Sequence, residues 1–189
     1  MAGRRVRLVA AEIFVMHAQP VAAVPPESHA KVSFDDTLEQ RISEILERYS
    51  TRRAALLPVL WLCQDRFGWL SAGTLEAIAE RLGESPAFVE GVASFYTMFY
   101  RQPPARFVLQ VCVTLSCDVC GGRELADHLR RRLGIDFGEK TADGLFQLIG
   151  VQCLGACGGA PVVQINDDYH ENLDSRRLDE LLDALQRGV

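Results

Sequence analysis

No stretch of the 189 residues approaches the roughly 20 consecutive apolar positions that a membrane-spanning helix needs, so no direct membrane span is expected. A basic stripe is missing too. Twenty Lys and Arg face 25 Asp and Glu, leaving a net charge of −5, and no basic run interleaves with aromatics, which excludes nucleic acid as the main partner. There is no G-x-G-x-x-G behind a strand-like run and no P-loop, so nucleotide phosphates find no glycine-rich cradle. Cysteine is scarce, with six in all, yet three fall within nine positions in VCVTLSCDVCGG, residues 111 to 122. With 48% hydrophobic and 24% charged residues, the remainder has the balance of a globular chain with its own core.

The opening MAGRRVRLVAAEIFVMHAQPVAA imitates a signal peptide, with an arginine-rich start and an apolar middle. Glu12 and His17 interrupt that middle, and Pro25-Pro26 breaks the chain after it. Secretion would put six cysteines in an oxidising space, where disulfides are expected, and a chain of this size with so rich a core does not read as a disulfide scaffold. The expectation for residues 1–34 is a disordered or extended N-terminal segment, with a mitochondrial presequence as the alternative.

Helical periodicity begins at Asp35. In DDTLEQRISEILERY the residues Leu38, Ile42, Ile45, Leu46 and Tyr49 line one face behind an aspartate cap, predicting a helix over about 36–49. Leu56, Val59, Leu60, Cys63 and Phe67 repeat the pattern up to Gly68, with Pro58 confined to the first turn or a bend. Ser71 can cap a third helix ending at Gly83, and Ser85-Pro86 opens a fourth through PAFVEGVASFYTMFY. Short joints of two to five residues make these a small bundle over 35–103, with Trp61, Trp69, Phe95 and Phe99 mainly in its core and any outward-facing ones free to dock another subunit.

Past RQPPAR the pattern changes. FVLQVCV is apolar on both faces, as a central strand should be, and GRELADHLRRRLG reads as a helix ending at Gly134. GLFQLIGVQC predicts a second strand, PVVQINDDYHENL a hairpin turning at Asn166-Asp167, and SRRLDELLDALQRG a closing helix. The expected class is therefore α+β: a small N-terminal helical bundle, then a thioredoxin-like α/β domain with a mixed sheet over 104–189.

On that layout Cys112 ends the first strand, Cys117 lies in the loop after it, and Cys153 and Cys157 follow the second strand. Parallel neighbouring strands would bring the C-x4-C and C-x3-C thiols to one end of the sheet. Gly155, Ala156, Gly158, Gly159 and Ala160 keep bulk away and leave backbone N–H groups free to approach sulfur, as cluster sulfur requires. Three other groupings compete. Cys117, Cys120, Cys153 and Cys157 have zinc-like spacing, though this strands Cys112. Cys117 and Cys120 could be a thioredoxin-type dithiol, which leaves the second pair idle. Cys112, Cys117 and Cys120 with a distant Cys153 reproduce the plant-type ferredoxin spacing, which spacing alone does not reject.

SFYTMF (94–99), QVCVTLSC (110–117), GEKTADGLF (138–146) and QCLGACGGAPVVQINDDYHENL (152–173) resemble the 24-kilodalton, or E, subunit family of respiratory complex I. Equivalent diaphorase subunits of NAD-linked hydrogenases and formate dehydrogenases belong to the same family. The resemblance runs from about residue 36 to the C-terminus. It implies a thioredoxin-like ferredoxin fold behind a helical bundle, holding one 2Fe-2S cluster on Cys112, Cys117, Cys153 and Cys157, with Cys120 not a ligand.

The resemblance further implies an electron-transfer subunit of an NADH:quinone oxidoreductase module with no catalytic residues or substrate site of its own. FMN and NADH would sit on a partner subunit, beside other peripheral-arm subunits. The location implied is cytoplasmic, or peripheral on the cytoplasmic face of the inner membrane through the complex. A diaphorase subunit or a free-standing thioredoxin-like ferredoxin is the alternative. Elsewhere, Cys63 reads as core, His128 and His170 as surface or structural histidines, and Asp167, Asp168 and Glu171 as a solvated turn.

Overall fold

Aspartate and serine side chains start three of the four N-terminal helices. The structure, a computed structural model, describes residue 30 and residues 32–188. The readings placed on residues 1–29, including Glu12, His17 and Pro25-Pro26, lie outside the described residues. Helix α1, Asp36–Leu46, begins where Asp35 accepts the Leu38 N–H at 2.8 Å. Helix α2, Leu56–Phe67, follows a short 3-10 turn at Arg53–Ala55, so Pro58 falls in its first turn, where the missing N–H has no partner to lose. Ser71 caps α3, Ala72–Leu82, and Ser85 caps α4, Pro86–Phe95. Gly68 and Gly83 end α2 and α3 at φ 79° and 69°, backbone values that cost glycine nothing. Ile42, Val59, Leu60, Ile78 and Val89 are wholly buried between these helices.

Three local readings need correction. Helix α1 stops at Leu46, Tyr49 is exposed, and the joint to α2 spans 47–55 rather than a few residues. Helix α4 ends at Phe95 instead of running on to Tyr100, because Tyr96 turns extended (φ −90°, ψ 115°) and the chain descends onto α2. There the buried Gln64 amide donates from Nε2 to the Met98 carbonyl at 2.9 Å and accepts the Tyr100 N–H at 2.7 Å. These bonds replace the helical ones the segment gives up. Phe99 is thereby buried, whereas Phe95, expected in the core, is 77% exposed and Trp61 is 39% exposed.

The second half is a four-stranded sheet in the order β2-β1-β3-β4, formed by β1 Phe107–Cys112, β2 Phe146–Val151, β3 Val163–Ile165 and β4 Asp168–His170. Strand β1 is central, parallel to β2 and antiparallel to β3. Between β1 and β2 run the short helix α5, Leu115–Val119, and helix α6, Gly122–Leu133; helix α7, Ser175–Arg187, closes the chain. Leu109, Leu129, Phe146, Leu148, Leu178 and Leu182 form a core separate from that of α1–α4. Asn166, at φ 53°, makes the β3–β4 turn as its residue type allows.

Replacing the buried Gln64 by Leu strips a partner from the Met98 carbonyl and the Tyr100 N–H. We expect chemical denaturation of Gln64→Leu to give a loss of about 2 to 4 kcal/mol, since each polar group left unpaired away from water costs about 1 to 3 kcal/mol.

Candidate metal centre

Parallel pairing of β1 with β2 sets Cys112 opposite Val151, so Cys112 and Cys153, two residues past the end of β2, leave the sheet at the same end. Strand β3 runs the other way and starts there. The Cys112 N–H donates to the Val162 carbonyl at 3.2 Å, and the Val113 N–H to the Val151 carbonyl at 3.0 Å. Helix α5 then holds Cys117, where a plain loop was expected, and a 3-10 turn at Cys157–Gly159 carries Cys157. Leu154, Ala156, Ala160 and Val162 pack as a small apolar shell around Cys112 and Cys117.

The four thiols differ in surroundings. Cys112 and Cys117 are buried, while Cys153 and Cys157 are exposed with their sulfurs 3.5 Å apart. Burial opposes ionisation of Cys112, but the Thr114 hydroxyl at 3.1 Å and the backbone N–H groups of Thr114 and Leu154 outweigh it and hold this thiol below its ordinary range. Burial pushes Cys117 up to about 11, reinforced by its hydrogen bond with Cys112 and by charge on Cys112 and Cys157, against an opposing backbone bond from Val162. The Gly155 N–H, 3.4 Å from the Cys153 sulfur, and then the Cys157 thiol lower Cys153. The two pairs act on each other: charge on Cys112 opposes ionisation of Cys153, and charge on Cys157 opposes that of Cys117.

The donors aimed at sulfur are only partly those the glycine-rich run suggested. Gly155 serves, but the Gly159 N–H is used on the Ala156 carbonyl and the Ala160 N–H on that of Cys157 within the 3-10 turn. Thr114, Leu154 and Val162 take their place, and nothing in cysteine spacing marks them. Gly122 was also unmarked. A Cβ there would lie 2.7 Å from the Cys117 carbonyl oxygen and 2.8 Å from its carbon, so only glycine lets α6 start against α5.

The remaining candidates stand apart from this arrangement. Cys120 is exposed at the end of α5. Cys63 is wholly buried in α2, where desolvation pushes its thiol up to about 12. His128 pairs with Asp179 across α6 and α7 at 2.9 Å, and half-buried His170 lies opposite Val163 in the sheet. Asp167, Asp168 and Glu171 are exposed, although the Glu171 side chain lies directly against Gly159. Among the described residues no three Cys, His, Asp or Glu side chains gather as a single metal ion would need. The thiols are arranged as two pairs, and soft thiolate pairs with backbone donors suit a binuclear iron–sulfur group.

The sequence model of the thioredoxin-like [2Fe-2S] ferredoxin family matches residues 42–186. The NADH-quinone oxidoreductase E subunit 2 of Rhizobium meliloti is 45% identical over 150 residues, covering 79% of this chain and 89% of that one. NADH-quinone oxidoreductase subunit 2 of Thermus thermophilus is 42% identical over 160 residues, covering 83% and 88%. Among solved structures, the crystal structure of an NAD+-reducing [NiFe]-hydrogenase in the air-oxidized state superposes with a TM-score of 0.63 at 28% identity, over 71% of this chain. This chain spans only 23% of that hydrogenase chain.

The contact between Gly122 and Cys117 gives a direct test. Gly122→Ala should force α5 away from α6, lowering stability by about 1 to 3 kcal/mol as overpacking does and reducing bound iron. Gly158→Ala, beside Cys157 but with open space around its added methyl, should stay within about 0.5 kcal/mol of the parent and keep its iron. Thermal denaturation and iron analysis of both variants check this.

Proposed function

The chain belongs to the thioredoxin-like [2Fe-2S] ferredoxin family, and we propose that it is the electron-transfer subunit of an NADH:quinone oxidoreductase, holding one cluster on Cys112, Cys117, Cys153 and Cys157. The observation that carries this reading is the meeting of two thiol pairs, each receiving at least one backbone N–H, at one end of a parallel strand pair. Such a cluster, when bound, accepts and returns one electron at a time. The chain's own part is to keep Cys112 and Cys117 out of water, to offer hydrogen bonds from Thr114, Leu154, Gly155 and Val162, and to leave the Cys153–Cys157 side open to an electron partner.

The proposed division of labour follows the two cores. Residues 35–103 form a docking bundle and 104–189 the cluster domain, with FMN and NADH on a partner subunit that exchanges single electrons with this one. Phe95, Tyr96, Met98 and Trp61 put exposed apolar surface on the bundle, and Phe95, at 77% exposure, contributes little to its own core. Among the described residues no helix is long and apolar enough to cross a membrane. We place the protein on the cytoplasmic side, held peripherally through its complex.

A second reading, a diaphorase subunit of an NAD-linked hydrogenase, draws on the structural likeness to the hydrogenase. The Rhizobium meliloti relative matches over 89% of its own length against 23% for the hydrogenase chain, which favours the first reading.

Anaerobic purification should yield a red-brown protein with about two irons and two acid-labile sulfides per chain and a 2Fe-2S electron paramagnetic resonance signal on reduction. Cys157→Ser should lose or severely damage the cluster, because a hydroxyl is a harder and weaker donor to iron than a thiolate, while Cys120→Ser should keep both iron and spectrum. Stoichiometric zinc without sulfide, or iron loss in Cys120→Ser with a normal spectrum in Cys157→Ser, overturns the ligand set. In the docking reading, Phe95→Ser leaves the cluster intact and weakens binding to the flavin subunit at least tenfold, about 1.4 kcal/mol, as an interface aromatic should.

A further inference from the structure

The segment Leu154-Gly155, between Cys153 and Cys157 in the chain, gives both of its N–H groups to sulfur, one to each thiol pair. The Leu154 N–H faces Cys112, and the Gly155 N–H lies 3.4 Å from the Cys153 sulfur. Gly155 sits at φ 81°, which it reaches without side-chain strain. The carbonyl of the same Leu154–Gly155 peptide is also engaged. Tyr169, on the edge strand β4, donates its hydroxyl to the Leu154 oxygen at 3.2 Å. An unbroken chain therefore runs from the Tyr169 O–H through one peptide unit to the Cys153 sulfur.

An amide whose oxygen accepts a hydrogen bond is polarised and becomes a stronger N–H donor, so bonds in such a chain reinforce one another. Donors directed at thiolate sulfur stabilise the more negative, reduced form of a cluster and raise its reduction potential. The tyrosine ring is 49% exposed, so its hydroxyl has water as an alternative partner and is not needed to fill a core. Independent bonds already tie the hairpin to the loop: the Asn172 N–H donates to the Gly159 carbonyl at 2.6 Å and the Leu173 N–H to that of Pro161 at 3.4 Å. Removing one hydroxyl leaves that connection in place.

We propose that Tyr169 is a positioning residue that sets the reduction potential of the cluster through the Leu154–Gly155 peptide. This inference rests on ligation by Cys112, Cys117, Cys153 and Cys157 as proposed above. Tyr169 neither binds the metal nor carries the electron. It orients and polarises the peptide whose N–H faces Cys153, and thereby raises the fraction of reduced cluster at a given potential.

The test is a mediated redox titration of the intact holoprotein, followed by electron paramagnetic resonance, on the parent, Tyr169→Phe and a form with 3-fluorotyrosine at position 169, all at mildly acidic pH. Tyr169→Phe should retain iron, sulfide and circular dichroism. Its reduced-to-oxidised ratio at fixed potential should fall about two- to fivefold, a shift of about 20 to 40 mV to lower potential at 59 mV per tenfold for one electron. The fluorinated form, a stronger donor, should shift upward. An unchanged or raised potential in Tyr169→Phe, or loss of its cluster, overturns the assignment, the latter by making Tyr169 a structural support of the loop. A parent protein without iron and sulfide overturns instead the ligation on which the inference rests, so the two failures are told apart.

Discussion

The parallel pairing of β1 with β2 is the constraint on which the rest of the molecule depends. Cys112 and Cys153 are brought together only because both strands run the same way and end level, Cys112 against Val151. An antiparallel pair would put these two thiols at opposite ends of the sheet. A parallel connection also needs a crossover, and α6 supplies it while burying Leu125 and Leu129 against the sheet. The same crossover must begin tightly enough to leave Cys117 beside Cys112, which is what the bare Cα of Gly122 permits. Fold and site are thus one solution, in which a strand register fixes two thiols and a close helix contact fixes a third.

The two cores impose different demands. Between α1 and α4 most buried residues are aliphatic, and the buried amide of Gln64 works as a clamp on the descending 96–100 segment. Around the thiols the shell is thinner and the polar groups are uncharged, chiefly backbone N–H donors with the Thr114 hydroxyl beside them. Such donors carry no net charge, so they stabilise negative sulfur without adding a cation to a half-open site. With a cluster bound, the charge of the site would rest on the thiolates and the metal alone.

Much of this was legible in the sequence where one local rule decides. Asp35, Ser71 and Ser85 marked helix starts, Gly68, Gly83 and Gly134 marked ends, and Asn166 marked the hairpin turn. Periodicity misled where tertiary bonds compete with the helix. YTMFY continues an apolar helical pattern, yet the buried Gln64 amide draws it out of α4, and no local signal announces a partner more than thirty positions away. Phe95 was misread as core: it is the last residue of α4, whose buried positions are Val89 and Ala93, and it is exposed. At the site, cysteine spacing and the family resemblance pointed to four thiols. The donors to sulfur from Thr114, Leu154 and Val162, and the Tyr169 bond, depend on strand ends meeting in space and leave no trace in spacing.

The strand register also has a consequence for biosynthesis. Each thiol pair is local in the chain, but the pairs are separated by the whole crossover, and Cys153 lies about 40 residues beyond Cys112. At 5–20 residues per second a ribosome takes roughly 2 to 8 s to make that stretch. During this interval the first pair is made, the helices of the bundle have been synthesised, and the second pair does not yet exist. Closing the crossover adds a loop-entropy cost that grows only slowly with its length. The moment at which all four sulfurs first share one end of the sheet is therefore set by the arrival and pairing of β2, and a delivery system for metal and sulfide would find its acceptor only after that strand has docked.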